Sequence, residues 1–299
     1  MMREAFFPAT LGEALAARAE EPLRPVAGGT DLMVQFRPHA PVPVELNAPP
    51  LFISQLDELH TVARDEKGWA VGATVTLREL AGSGASSAGL REVLKWFASP
   101  AIRNAATIGG NVCNASPAGD LLPWLIAHDA RVVLQSANAN RTMLVSDFIT
   151  GPGATVMDET ELLTRLEVPA GTTGDSIGAS RDLDFWYYRK VAPRRSNALS
   201  KLSVYAEAKR TDSGKLTDFR LAIGAVAPKV VRLREAEEMM AGLSAGSLRG
   251  KTRELLSLYG EAIVPIDDQR STAIYRRHTA LALIKHIVEE RLPSFLEQT

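Results

Sequence analysis

The stretch TIGGNVCNASPAGDLLP (residues 107–123) decides how this chain folds and what it can bind. It holds three glycines and turns apolar at its end. Glycine lets a backbone approach a ligand closely, and hydroxyl, amide and carboxylate groups bind polyols. Those groups are supplied by Thr107, Asn111, Asn114, Ser116 and Asp120. The stretch therefore predicts a phosphate-binding backbone at Ile108, Gly109 and Gly110 with polyol-binding side chains around it.

A purely structural interpretation of the same stretch stays open at this point. In it the segment is a capped loop, and Asp120 serves as the N-cap of the apolar helix LLPWLIAH (residues 121–128). The residues of this stretch fit both interpretations.

A second glycine turn occurs earlier, in AGGTD (residues 27–31), after a short predicted strand and before a helical turn that begins near Asp31. Its successive N–H groups and the Thr30 hydroxyl can face an anion such as a pyrophosphate. One such turn is weak support, because most Gly-Gly turns only reverse the chain. Two in one chain favour nucleotide binding, although neither a Walker nor a Rossmann motif is present in this sequence.

Composition narrows the possible partners and cofactors. The chain has 299 residues, with 34 Lys and Arg against 35 Asp and Glu, so we expect no nucleic-acid partner. It shows no signal-peptide pattern and no apolar run of membrane-spanning length, so we expect a cytoplasmic protein. Cys113 is the single cysteine, and the five histidines lack metal-ligand spacing and are expected to be solvated or on helix faces. A redox cofactor would therefore be organic, and no metal site is predicted.

Local patterns predict blocks of strands followed by helices, which is typical of an α+β fold. Hairpins are predicted within residues 61–75 and 130–148, a strand over 160–169, and a helix from Ser87 that stops at Pro100. Three strands and three helices follow after residue 183. We predict a first domain over 1–168, a linker over 169–181, and a second domain over 182–299 with a three-stranded antiparallel sheet and helices.

Two motifs together carry a family resemblance. VAGGTDLMVQ (residues 26–35) and SPAIRNAATIGGNVCNASPAGD (residues 99–120) closely resemble the FAD-binding medium subunit of molybdenum hydroxylases, the xanthine dehydrogenase and carbon monoxide dehydrogenase group. The resemblance extends over essentially the whole chain. It implies an α+β FAD-binding domain of two subdomains divided near residues 50–60, of the vanillyl-alcohol oxidase or PCMH-like type, before a small antiparallel sheet with three helices.

The resemblance also implies roles for individual residues. The first motif would embrace the pyrophosphate of non-covalent FAD, and positions of the second would contact its pyrophosphate and ribityl groups. The residues carried over in this way are Ala27, Gly28, Gly29, Thr30, Asp31, Thr107, Gly109, Gly110, Asn111, Asn114 and Asp120. The end of a helix at Phe97 and Ala98 would border FAD, and Leu162 or Leu163 would contact the flavin.

Lys190 matches a basic residue near the pyrimidine end of the flavin. A cation there would stabilise negative charge that develops on the ring during reduction, and would raise its potential. Arg189 or Arg194 could take this role instead. Alternatively, Lys190 is a solvated charge at a strand end.

The function implied by the resemblance is electron transfer within a complex. A [2Fe-2S] small subunit would pass electrons to FAD, a molybdopterin large subunit would hydroxylate the substrate, and NAD, a quinone or O₂ would be the acceptor, with NAD favoured by family analogy. The assembly would be a heterotrimer or its dimer. Two alternatives are a self-sufficient flavoenzyme of the same fold, with a catalytic role for Tyr187 or Ser196, and a flavin-free scaffold subunit.

Overall fold

The computed structural model of the protein describes residues 5–36, 44–66, 68–84, 86–170 and 184–297. The chain forms two compact units. The first unit comprises Met1–Ser86, Ala98–Ser116 and Asp129–Ala170, and the second unit comprises Ser87–Phe97, Pro117–His128 and Gly171–Thr299. Two segments within the predicted continuous domain 1–168 thus belong to the second unit. Residues 171–181 of the predicted linker lie outside the described residues, and the domain limits stay a prediction.

The helices and strands follow the chain in this order. Up to residue 169 they are α1 (Leu11–Glu20), β1 (Arg24–Val26), α2 (Leu32–Gln35), β2 (Pro50–Phe52), β3 (Val62–Asp65), β4 (Gly68–Gly72), α3 (Leu77–Gly82), α4 (Ala88–Trp96), α5 (Pro100–Ala105), α6 (Ile108–Cys113), α7 (Leu122–Ala127), β5 (Arg131–Gln135), β6 (Asn140–Leu144), α8 (Val145–Phe148), β7 (Ile149–Gly151), β8 (Ala154–Thr155) and β9 (Leu162–Pro169). The later elements are β10 (Asp184–Val191), β11 (Leu202–Arg210), β12 (Leu216–Gly224), β13 (Val231–Arg232), α9 (Arg234–Met240), α10 (Ala245–Ala262), α11 (Ala273–His286), a π-helical turn (Ile287–Arg291) and α12 (Leu292–Leu296).

The first unit contains three sheets, the smallest of which is the antiparallel pair β7 and β8. The parallel pair β1 and β2 packs with α1 on a small apolar core. The larger sheet has five antiparallel strands in the order β3, β4, β9, β5, β6, which confirms both predicted hairpins and the strand that ends at Pro169. Strand β9 lies in its centre, and β4 and β9 contact α6, the helix that contains the second glycine motif. The sheet therefore positions that motif.

The connection between α4 and α6 differs from the prediction. Helix α4 ends at Trp96, and Pro100 does not stop it but occupies the first turn of α5. Ser99 caps α5, since its hydroxyl accepts from the Ile102 N–H at 3.4 Å. Proline is favoured in a first helical turn because its missing N–H has no intrahelical partner there. The Ser-Pro pair thus begins a helix directly before the second motif.

The second unit is an antiparallel sheet covered by helices. Its strands lie in the order β10, β11, β12, β13, so the sheet has four strands rather than the predicted three. The additional strand has only two residues, which is too short to show a periodic pattern in the sequence. Helices α9 to α12 cover the buried side chains of the sheet in one apolar core. Helix α7 packs against β11 and β12, and α4 against β10.

A buried polar network joins α7 to β11 in this unit. His128, which was predicted to be solvated or on a helix face, is the C-cap of α7 and is fully buried. Its Nδ1 donates to the Trp124 carbonyl at 2.8 Å, and its Nε2 lies 2.8 Å from Glu207 Oε2, which also accepts from the Tyr205 hydroxyl at 2.8 Å. Burial alone would raise the pKa of Glu207, but His128 and these hydrogen bonds outweigh it and hold the pKa below its ordinary value.

We expect Glu207→Gln to lower the free energy of unfolding by about 2 kcal/mol at neutral pH, because it leaves His128 facing a neutral amide in a buried site. A carboxyl with a lowered folded pKa contributes stability above its unfolded pKa, near 4.3, and that contribution is lost as the pH falls through the folded pKa. The difference between the two proteins should therefore shrink below about pH 4. Denaturant unfolding at several pH values measures it.

Glu254→Gln is the matched control for this prediction. Glu254 accepts from Lys251 at 2.8 Å on an exposed face of α10, so its replacement should change stability by less than about 0.5 kcal/mol. Equal losses in both variants, or a Glu207→Gln defect that does not change with pH, would contradict a stabilising role for the buried carboxylate.

No helix in the described part of the chain is long and apolar enough to cross a membrane. The predicted cytoplasmic location stays a prediction. Among the described residues, which exclude His39, no group of three or more His, Cys, Asp or Glu side chains is placed to hold a metal ion.

Candidate functional site

The first glycine motif is a turn between β1 and α2 that requires both of its glycines. A Cβ on Gly28 would lie 1.9 Å from the carbonyl oxygen of Ala105, so the turn packs backbone to backbone against the end of α5. Gly29 has φ +66°, a left-handed conformation that side chains other than glycine seldom adopt. The motif is thus fixed beside the chain that enters the second motif at Thr107.

The backbone of this turn contains N–H groups that are not used in hydrogen bonds among the described residues. Among the described residues, the N–H groups of Gly28, Gly29 and Thr30 donate to no carbonyl or side-chain acceptor. All three residues are half-buried. Consecutive main-chain N–H groups that lack acceptors are able to bind an anion. The geometry of this motif fits a phosphate.

The second motif differs from the expected bare backbone, because it forms α6. Thr107 is the N-cap, and its hydroxyl accepts from the Gly110 N–H at 3.1 Å. The N–H groups of Ile108 and Gly109 donate to the carbonyls of Val75 and Ala73, each at 3.0 Å. The main-chain donors predicted to face a phosphate are therefore already engaged within the first unit, and the prediction for them is corrected.

The two glycines of α6 have different structural roles. A Cβ on Gly109 would lie 2.6 Å from the Ala73 Cβ, so this glycine lets α6 pack against the chain after β4. Gly110 is exposed, and a Cβ there would meet within 4 Å only the Thr107 hydroxyl, at 2.9 Å. Gly109 serves the fold, and Gly110 leaves an open surface on the first turn of α6.

Asn111 supplies a polar atom that the fold leaves unpaired. Its Oδ1 is buried and has no hydrogen-bond partner among the described residues. A buried acceptor without a partner costs about 1–3 kcal/mol, so such atoms usually mark the place of a ligand or water. Asn111 Oδ1 is the atom of α6 that most directly indicates a bound donor, such as a hydroxyl group.

The remaining predicted residues of the first unit lie around these motifs. Leu162 and Leu163, on β9, are buried, and Leu162 packs in the small core with α1. Ser116 is half-buried and follows Ala115, which has a left-handed φ of 46°. Burial raises the pKa of the Cys113 thiol to about 12, which favours its protonated form.

A glutamine that the sequence analysis missed connects the two motifs. Gln35, the last residue of α2, donates from Nε2 to Asp31 Oδ2 at 2.6 Å and to Asn114 Oδ1 at 2.8 Å. The four-residue spacing of Asp31 and Gln35 on a helical turn was a signal in the sequence for the first contact. The contact with Asn114 spans 79 positions and had no local signal.

A buried ion pair forms the corresponding cluster in the second unit. Lys190 donates to Asp120 Oδ2 at 2.5 Å and to the Trp96 carbonyl at 3.2 Å, and the Ser200 hydroxyl donates to Asp120 Oδ1 at 2.5 Å. The Lys190 side chain is 3% exposed, so its interpretation as a solvated charge is wrong. The predicted alternative cap is also wrong, because α7 begins at Leu122 without a side-chain cap.

The electrostatics of this cluster are set by burial. Burial raises the pKa of Asp120 above its ordinary value, while Lys190, Ser200 and Tyr188 oppose the rise. The pKa of Tyr188 is raised well above its ordinary value by burial and then by the nearby carboxylate. Lys190 is therefore the group that favours the ionised form of Asp120 most strongly.

The structure divides the predicted site residues between the units. The first unit brings together residues 27–31 with Thr107 to Asn114. In the second unit, Phe97 is the C-cap of α4, next to the Trp96 carbonyl that Lys190 contacts, whereas Ala98 belongs to the first unit and has φ 41°. Of the other candidate cations, Arg194 donates to the Asn197 carbonyl at 2.7 Å and is exposed, as is Arg189.

Comparisons with known protein families match both parts of the chain. Residues 1–171 match the family described as the FAD binding domain in molybdopterin dehydrogenase. Residues 186–291 match the CO dehydrogenase flavoprotein C-terminal domain.

Individual proteins match over nearly the full length. The xanthine dehydrogenase FAD-binding subunit of Escherichia coli O157:H7 is 26% identical over 289 residues, covering 94% of this chain and 93% of that protein. The glyceraldehyde dehydrogenase medium chain of Sulfolobus acidocaldarius is 27% identical, covering 89% and 90%. A chain of the carbon monoxide dehydrogenase structure from Hydrogenophaga pseudoflava superposes with a TM-score of 0.82 at 24% identity, covering 96% of each chain, which shows a shared fold.

Proposed function

The chain belongs to the family of FAD-binding domains of molybdopterin dehydrogenases, and from this membership we propose that it transfers electrons within a molybdenum hydroxylase complex. In this proposal a [2Fe-2S] subunit supplies the electrons, and a separate molybdopterin subunit hydroxylates the substrate. NAD is the proposed acceptor and a heterotrimer, or its dimer, the proposed assembly. The names of the relatives support the family and its FAD cofactor, and they leave the route and the acceptor to experiment.

The observation that best supports FAD binding by the two glycine motifs is a set of polar groups in the first unit that have no hydrogen-bond partner among the described residues. The N–H groups of Gly28, Gly29 and Thr30 suit a phosphate, and the buried Asn111 Oδ1 suits a hydroxyl. Both fit a dinucleotide that carries a pyrophosphate and a polyol. When bound, FAD supplies the ability to accept electrons singly and to release them as a pair.

The roles of the two motifs follow from their geometry. We assign the pyrophosphate to the turn of residues 27–30 and hydroxyl groups to Asn111, Asn114 and Ser116. Gly110 leaves the surface of α6 clear for close approach. Thr107 acts by capping α6, and Gly109 by letting α6 pack on Ala73. Phe97, Ala98, Leu162 and Leu163 are proposed to border the flavin.

Lys190 has a narrower proposed role than that of a free cation. Its ammonium has three N–H donors, and among the described residues two of them serve Asp120 and the Trp96 carbonyl. We propose that Lys190 keeps Asp120 ionised, so that the carboxylate could accept a hydrogen bond from a hydroxyl of the cofactor, and that Lys190 is the basic residue that tunes the flavin. Because Asp120 neutralises Lys190, the effect of Lys190 on the flavin potential should be smaller than that of an isolated charge.

The test of the proposed function is purification of the protein from its native host under conditions that keep complexes intact. We expect FAD, iron and molybdenum to copurify with two further chains, and the flavin to be reduced only when those chains are present. FAD on an isolated chain that turns over alone would establish the self-sufficient flavoenzyme instead. A chain that carries no flavin in either form would be the scaffold subunit.

A further inference from the structure

We infer that Gln35 is a positioning residue that locks the two glycine motifs together for FAD binding, an inference that rests on the proposed function of those motifs. Its single carboxamide nitrogen donates one hydrogen to Asp31 at 2.6 Å and the other to Asn114 at 2.8 Å. Asp31 ends the AGGTD turn of the first motif and is the N-cap of α2, and Asn114 is the C-cap of α6. One side chain therefore determines the position of polar groups on both motifs.

The hydrogen bond from Gln35 determines which atoms of the Asn114 side chain remain able to bind a ligand. Because Oδ1 accepts from Gln35, the Nδ2 group is turned away from Gln35, and no acceptor for it exists among the described residues. Asn114 thus offers two donors to a hydroxyl or phosphate oxygen. If the Gln35 amide were absent, the Asn114 amide would be free to rotate, and FAD would have to order it on binding.

The hydrogen bond from Gln35 also holds the Asp31 carboxylate in one position. A carboxylate near a pyrophosphate repels it, and the repulsion grows as the two groups approach. The Gln35 amide donates to Asp31 Oδ2 and so holds the carboxylate along α2. A glutamine suits this position because a glutamate would place a second negative charge beside Asp31 and could not donate a hydrogen bond when ionised.

The effect should appear in cofactor affinity and leave the fold nearly unchanged. Gln35 and Asp31 are exposed, and Asn114 is half-buried, so the apoprotein should lose little stability when Gln35 is shortened. The bound state should lose preorganised contacts. We expect Gln35→Ala to raise the dissociation constant of FAD roughly threefold to tenfold. Gln35→Glu should raise it further.

The experiment is titration of the deflavinated full-length chain with FAD, followed by flavin fluorescence, with the Tm of each apoprotein measured in parallel. Gln55→Ala is the matched control, since Gln55 Nε2 also joins two segments of the first unit, donating to the carbonyls of Phe52 at 2.8 Å and Pro8 at 3.2 Å. It touches neither motif, and its replacement should leave FAD affinity unchanged.

Two double variants test the mechanism. Gln35→Ala combined with Asn114→Ala should weaken binding by less than the product of the single effects, because the lock acts through Asn114. Gln35→Glu combined with Asp31→Asn should bind FAD more tightly than Gln35→Glu alone, because the asparagine can donate to the glutamate. It should still bind FAD less tightly than the wild type, because a glutamate cannot donate to Asn114 Oδ1. Wild-type affinity in Gln35→Ala, multiplicative effects, or a loss of apoprotein Tm that accounts for the weaker binding would each overturn the inference. If the wild-type chain bound no FAD, the proposed function would fail instead.

Discussion

Lys190→Met should lower the free energy of unfolding by about 3–5 kcal/mol at neutral pH, the cost typical of leaving one partner of a buried ion pair without its counter-charge. The side chains of Lys190 and Asp120 are 3% and 8% exposed, so water does little to compensate. The variant also removes the donor to the Trp96 carbonyl. Thermal and denaturant unfolding of the apoprotein measure the loss.

The defect of this variant should depend on pH in a defined direction. Burial already raises the pKa of Asp120, and removing Lys190 raises it further, because the attraction that favoured the charged form is gone. A carboxyl with a raised folded pKa binds a proton more tightly in the folded state, so stability falls as the pH rises from the unfolded pKa to the folded one. The stability of Lys190→Met should therefore improve towards acidic pH.

The double variant Lys190→Met with Asp120→Asn is the control. It removes both charges, so it should be more stable than Lys190→Met alone at neutral pH and should lack the improvement towards acidic pH. A single variant as stable as the wild type, or one whose defect is the same at every pH, would contradict a buried pair in which Lys190 compensates Asp120.

Much of the fold could be predicted because its signals are local. The two hairpins of the first unit and the strand that ends at Pro169 follow from alternating apolar residues and turn residues within short windows. The capping box of α3, with Thr76 and Glu79, is likewise contained in four residues. Tertiary contacts did not need to be known for these elements.

The features that the sequence analysis missed depend on distant contacts. Lys190 and Asp120 are 70 positions apart, and no local pattern distinguishes a paired lysine from a solvated one. The N–H groups of Ile108 and Gly109 resemble free donors in the sequence, and only the approach of the chain after β4 shows that they are engaged. The distribution of donors between the two glycine motifs therefore required the structure, and the location of the site at these motifs stays a prediction. The role of each site residue stays a proposal.

Gly110→Val should raise the dissociation constant of FAD on the order of 100-fold while the apoprotein still folds. Gly110 is exposed, and a Cβ there meets only the Thr107 hydroxyl, which can rotate at the cost of one N-cap hydrogen bond, about 1 kcal/mol. The valine side chain would occupy the surface of α6 next to Asn111, whose buried Oδ1 has no hydrogen-bond partner among the described residues. Flavin content after purification and FAD titration of the apoprotein measure the effect.

Two other glycines separate loss of the cofactor from loss of the fold. Gly109→Val should prevent folding of the first unit, because even a Cβ at that position lies 2.6 Å from the Ala73 Cβ. Gly151→Val, where nothing lies within 4 Å, should retain both the fold and FAD. Full flavin occupancy in Gly110→Val would show that the cofactor does not bind close to the first turn of α6. The pyrophosphate would then be bound by the N–H groups of residues 28–30 without a contribution from the second motif. If Gly110→Val failed to fold, as Gly109→Val is expected to, Gly110 would be a packing residue. The exposed surface at Gly110 would then not support a ligand-binding role.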